Sequence, residues 1–137
     1  MSWLKFRNYP PLIKKLFLIY LIGFSVGTTT HIIDLINHGW ILNESVPLWK
    51  NMYWVSLTFF DFFAILLILS NIKAALIISN LIIISDVIIN TDCFTANWLD
   101  LHYKVILQLI FCLYIVITTP IILKVQRNTI VKANTKS

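Results

Sequence analysis

Residues 52–70 read MYWVSLTFFDFFAILLILS, with one carboxylate, Asp61, and no lysine, arginine or histidine. Runs such as AILLIL at 64–69 do not alternate, as a barrel strand of about ten residues would. A helix needs about 20 mostly apolar residues to cross a hydrocarbon core of roughly 30 Å. The stretch is therefore expected to be a membrane-crossing helix that carries a buried acid.

Working outward, three more stretches have the same character: 16–36, 74–91 and 105–123. Polar breaks at 37–51, 71–73 and 92–104 separate the four. The expected fold is all-α: a polytopic membrane protein built as an antiparallel four-helix transmembrane bundle. Residues 1–137 form one domain, because the breaks are too short to fold alone. Pro10 and Pro11 disfavour a helix upstream of the first span. Pro120 is expected to kink or end the fourth, and the polar tail from Gln126 to fray.

Composition agrees. Apolar residues make up 58% of the chain and charged residues 12%, against about 45–50% and roughly 25% in soluble domains. That balance excludes a cytosolic globular enzyme, and it is the reverse of the signature of disorder. Three glycines and two cysteines exclude collagenous and disulfide-scaffold architectures.

Charge sets the expected orientation. Lys5, Arg7, Lys14, Lys15, Lys73, Lys124, Arg127, Lys132 and Lys136 lie on one side of the spans, and only Lys50 and Lys104 on the other. Basic flanks stay cytoplasmic, so both termini are expected inside, in the inner membrane if the host is bacterial. The net charge of +5 then meets anionic headgroups, and nucleic acid is not an expected partner. Trp3, Tyr9, Trp40, Trp49, Tyr53, Trp54, Trp98 and Tyr103 cluster near span ends, where amphipathic rings anchor at the interface. The first span is too long for a secretory h-region and lacks a small-residue cleavage pattern, so it is expected to remain as the first helix.

The informative residues are the ionisable ones, each costing about 2.5–3.5 kcal/mol at mid-span. The first span has His31 and Asp34 on one face, with His38 beyond. The second has Asp61, with Thr58 one turn earlier. The third has Asp86, with Asn90 at i+4 and Ser79 two turns below. The fourth has Gln108, Cys112 and Thr119 in one stripe. Counted from the span ends at 1.5 Å per residue, His31, Asp61, Asp86 and Gln108 all fall in the extracytoplasmic half. The expected site is a polar cup, open outward and closed below, lined by Asp61, Asp86, His31, Asp34 and Asn90. Several carboxylates in one dry cup cannot all stay charged without a counter-charge. Such groups suit proton transfer, cation binding, or a grip on a protonated amine or ligand hydroxyl. Among neutral residues such as Asn90, Gln108, Thr58 and Ser79, helix-to-helix hydrogen bonding is the expected role.

No cofactor or metal is expected. His31 and His38 stand two turns apart, about 10 Å, too far to share an ion on an unbroken helix. Gly23 and Gly27 form a small-xxx-small pattern that permits close helix approach. Phosphate loops, zinc-spaced cysteine pairs and nucleophile elbows are missing from the sequence.

The layout of His31 and Asp34 on helix one, Asp61 on helix two and Asp86 on helix three resembles the four-helix domain shared by sterol isomerases and the sigma-two receptor. It departs from that family where Phe62-Phe63-Ala64 follow the helix-two acid in place of a proline, and where Asp86 stands in place of a histidine. The resemblance implies a buried sterol-like or amine ligand. The leading expectation is an intramembrane site for a lipid-like or protonatable small molecule or a cation. One alternative is an accessory subunit of a membrane complex, with a membrane-protein partner or a second copy. Another is an isomerase-like enzyme with His31 and Asp61 as acid and base.

Overall fold

The computed structural model describes residues 10–91 and 98–134, which fold into four helices and no strand. These are α1 (Pro11–His38), α2 (Leu48–Ser70), α3 (Ile72–Thr91) and α4 (Trp98–Asn134). Each contains a stretch long and apolar enough to cross a membrane. All four expected spans are present, and the helices extend beyond them. Trp3, Lys5, Arg7, Tyr9 and Lys136 lie outside the described residues, as do the side chains of Trp98, Lys104 and Lys132.

The ends follow from local chemistry. Pro10 caps α1 and Pro11 occupies its first turn, where the N–H that proline lacks would have no intrahelical partner. The Pro10 carbonyl accepts from Ile13 N at 3.0 Å. At the other end Gly39 adopts φ 67°, a conformation costly for any residue with a Cβ, and its N–H closes on the Leu35 carbonyl at 2.9 Å. The following loop is pinned to α2 by a reciprocal pair. Asn43 N donates to Asn51 Oδ1 at 2.8 Å, and Asn51 Nδ2 donates to the Asn43 carbonyl at 2.9 Å. One residue, Asn71, separates α2 from α3 and serves both. Its N–H closes α2 on Leu67 at 2.7 Å, while its Oδ1 accepts from Ala74 N at 3.3 Å, as an N-cap does.

Of the two outcomes expected at Pro120, a kink or an end, the end does not occur: helix α4 runs through Pro120 and continues past Gln126, where fraying was expected, to Asn134. Proline removes the bond to the Val116 carbonyl, but side chains add bonds in the preceding turn. Thr118 Oγ1 donates to the Tyr114 carbonyl at 2.7 Å, and Thr119 Oγ1 to that of Ile115 at 2.8 Å. With the helix carried past the proline, each added residue gains a bond at little further cost.

The core lies on one seam per helix. On α1, Ile13, Phe17, Tyr20 and Phe24 are all buried, alternating by four and three residues, the spacing of one helix face. On α2 the buried seam includes Thr58, Asp61, Ala64 and Ile68, and on α3 it includes Ala75, Ser79, Ile82 and Asp86. The outward faces are apolar. Phe59, Phe60, Phe62 and Phe63, which bracket Asp61 in sequence, are all exposed. Polar groups inside and phenylalanines outside is the arrangement that lipid favours and water penalises.

Candidate functional site

Polar side chains in the bundle form two layers with an apolar floor between them. The layer nearer the α1 C-terminus contains the acids. Asp61 and Asp86 are both 6% exposed, turned inward by the seams of α2 and α3. The Asp61 carboxylate points to α1, with Oδ2 3.9 Å from His31 Nε2. It also packs on the bare backbone of Gly27, where an added Cβ would collide with it.

Asp86 is braced. Asn90 Nδ2 donates to Asp86 Oδ1 at 2.8 Å and to Gln108 Oε1 of α4 at 3.0 Å. Trp54 Nε1 of α2 donates to Asn90 Oδ1 at 2.8 Å. One asparagine thus ties three helices together around the acid. Beside it, the Tyr53 hydroxyl and Ser85 Oγ share a hydrogen bond of 2.7 Å between α2 and α3. Thr58, one turn from Asp61, is buried, and its hydroxyl has no hydrogen-bond partner among the described residues.

The five expected site residues divide accordingly. His31 and Asp61 meet, and Asp86 and Asn90 meet. Asp34 stands apart, with its side chain half-buried and its backbone carbonyl accepting from His38 Nδ1 at 3.2 Å. The reason is axial: the α1 seam continues from Phe24 through Gly27 to His31, and the opposing acid on α2 is level with Gly27 and His31. Asp34 lies nearly a turn further along. Among the described residues, no three His, Cys, Asp or Glu side chains gather as a metal site would require.

Phe24 and Phe111 meet edge-to-face, centroids 5.4 Å apart, and with buried Ile82, Ile83 and Ile115 they form the floor. Gly23 makes room for the Phe111 ring. The paired glycines thus admit a ring from α4 and a carboxylate from α2.

Below the floor lies a second polar layer that sequence reasoning missed. The Tyr20 hydroxyl donates to the Ile115 carbonyl at 3.1 Å and shares bonds with Thr118 and Thr119. Asn80 Nδ2 of α3 donates to Thr119 Oγ1 at 2.8 Å and to the Leu76 carbonyl at 2.7 Å. Tyr114 OH reaches back to the Leu16 carbonyl at 3.0 Å. The signal was available: Tyr20 sits on the same α1 face as His31. Tyr53 and Trp54, expected as interfacial anchors, turn out to bridge α2 to α3.

Comparison of the chain with models of known families, with curated proteins and with solved structures found no match.

Proposed function

We propose that the chain is an integral, four-span membrane protein with both termini cytoplasmic, whose antiparallel bundle holds an extracytoplasmic-side binding site centred on Asp61. The pairings support antiparallel helices. Tyr20 of α1 meets Thr118 of α4, and Phe24, one turn further along α1, meets Phe111, two turns earlier on α4. Asn80 and Asn90 of α3 likewise meet Thr119 and Gln108. Nine of the eleven lysines and arginines on one side support the orientation.

The observation that carries the binding reading is the contrast between the layers. The lower one joins α1, α3 and α4 with neutral hydroxyls and an amide. Helix association therefore has no need of carboxylates. Two buried acids, with a histidine at 3.9 Å from one and an unpartnered hydroxyl a turn away, are a costly way to hold helices and a suitable way to hold a cationic or protonatable ligand. Asp61 is the central group, with Asp86 braced by Asn90 as the second and His31 and Asp34 toward the mouth. The isomerase-like alternative fares worse, since an acid and a base 3.9 Å apart leave no room for a substrate between them.

The test is native mass spectrometry of gently solubilised protein, wild type beside Asp61→Asn. A bound small mass present in the first and lost from a folded second is the expected result. A bare monomer in both overturns the reading, and a co-purifying polypeptide in both favours an accessory-subunit role.

A further inference from the structure

One oxygen of Asp61 meets α1 twice. Oδ2 stands 3.9 Å from His31 Nε2 and lies against the bare backbone of Gly27. Gly27 and His31 are one turn apart on the same face of α1, so the carboxylate sits in a notch between the glycine and the imidazole. Among the described residues no hydrogen bond reaches this carboxylate. Asp86 of α3, by contrast, accepts from Asn90 Nδ2 at 2.8 Å. The other ionisable groups on these helices are placed elsewhere or committed. On α1, Asp34 lies nearly a turn beyond His31, and His38 two turns beyond. On α2, Tyr53 is two turns from Asp61 with its hydroxyl on Ser85, and Lys50 is three turns away, over the Trp49 ring. On α4, Cys112 is half-buried, and the Tyr114 hydroxyl is held by the Leu16 carbonyl. A proton can reach the pair, because the side chain of His31 stays 16% exposed and that of Asp61 9%.

We propose that His31 and Asp61 form a one-proton latch, which holds the outer half of α1 on α2 and opens when the proton leaves. The inference rests on the binding function above and names how that site is regulated. With one proton between them the two residues carry no net charge, whether as imidazolium and carboxylate or as imidazole and carboxylic acid. Its removal leaves a bare negative charge between two helices, where an unpaired charge is costly. The notch then either parts, letting water reach the carboxylate, or takes up one positive charge in the proton's place. Cation and proton therefore exclude one another at Asp61. Histidine suits the task, because its ordinary titration falls between about pH 5 and 8. The lower polar layer is built of hydroxyls and an amide, which do not titrate in that range. The proton state thus acts on α1 beyond Phe24 and leaves the part below it in place.

The experiment follows the His31 ring nitrogens and the Asp61 carboxyl carbon by solid-state NMR, with the full chain in phosphatidylcholine bilayers, from about pH 5 to about pH 9. The two signals are expected to move together through one shared midpoint, as coupled groups do. Asp61→Asn should displace the His31 midpoint by about one pH unit or more. His31→Gln should displace the Asp61 midpoint by a similar amount, because the coupling is reciprocal, and it guards against misfolding of the first variant. Above the wild-type midpoint, amide exchange from Gly27 to Asp34, corrected for its intrinsic pH dependence, should rise several-fold. Exchange from Ile13 to Phe24 should not change. Separate midpoints that neither variant moves would overturn the latch and leave the Asp61 binding site standing, since that site is read from bound mass. A pair that keeps its proton over the whole range would be a fixed structural contact and overturn the latch as well. Unchanged exchange across a shared midpoint would refute the opening of α1.

Discussion

The carboxylate of Asp61 on α2 rests against the bare backbone of Gly27 on α1, in the space a methyl group would need. The contact sets how closely α1 and α2 approach at the level of the site, and it holds the acid beside His31. Gly27→Ala should therefore destabilise the bundle by about 1–3 kcal/mol, the range for forcing an extra carbon into a packed interior. Truncating the acid should relieve the collision, so the Gly27→Ala/Asp61→Ala double variant should show a coupling of at least about 0.5 kcal/mol. Unfolding in mixed micelles measures both. Strict additivity would mean that the two residues do not touch.

Tyr20 belongs to the layer that holds helices together. Tyr20→Phe removes the hydroxyl shared with Thr118, Thr119 and the Ile115 carbonyl. The expected loss is about 0.6 kcal/mol, rising to roughly 1.7 if the network acts as a unit. Ligand retention should not change, and a variant that unfolds normally but loses its bound mass would move the site below the floor.

Two hydroxyls are buried without a hydrogen-bond partner among the described residues, and they should behave differently. Ser79 is fully buried in the floor-side seam of α3. Ser79→Ala should leave stability unchanged or raise it by up to about 1 kcal/mol, because an unsatisfied buried hydroxyl is itself unfavourable. Thr58→Val should likewise be near neutral in the empty protein, yet weaken binding. Equal binding by Thr58→Val and wild type would remove Thr58 from the site.

Asn71 is the whole of the α2–α3 junction. Asn71→Ala keeps the backbone bonds but loses the Oδ1 cap on Ala74 N. The expected cost is about 1 kcal/mol, localised as faster hydrogen exchange at Ala74. Exchange unchanged there would show that the cap contributes nothing.

What the sequence disclosed, and what it hid, follows from the range of the interactions. Four spans were legible because length and apolar continuity are local properties, and the inward faces of Asp61 and Asp86 because helical spacing is too. The partners were not. Asp34 and His31 look equivalent on one helix, and only the level at which α2 passes α1 gives Asp61 to His31. Tyr53 and Trp54 read as interfacial rings because composition cannot show that Ser85 and Asn90 stand opposite. Pro120 read as either a kink or an end, because the sequence does not show that a hydroxyl from another helix, that of Tyr20, joins Thr119 on the Ile115 carbonyl in the turn before it.

The central claim is that Asp61 faces the bundle interior against α1. Its most direct test is a solid-state NMR dipolar-coupling measurement between the Asp61 carboxyl carbon and His31 Nε2, with the full chain in lipid bilayers. The account predicts a clear coupling, since Nε2 and Oδ2 are 3.9 Å apart. No coupling to His31, with Asp61 correlated instead to lipid acyl-chain protons, would contradict it.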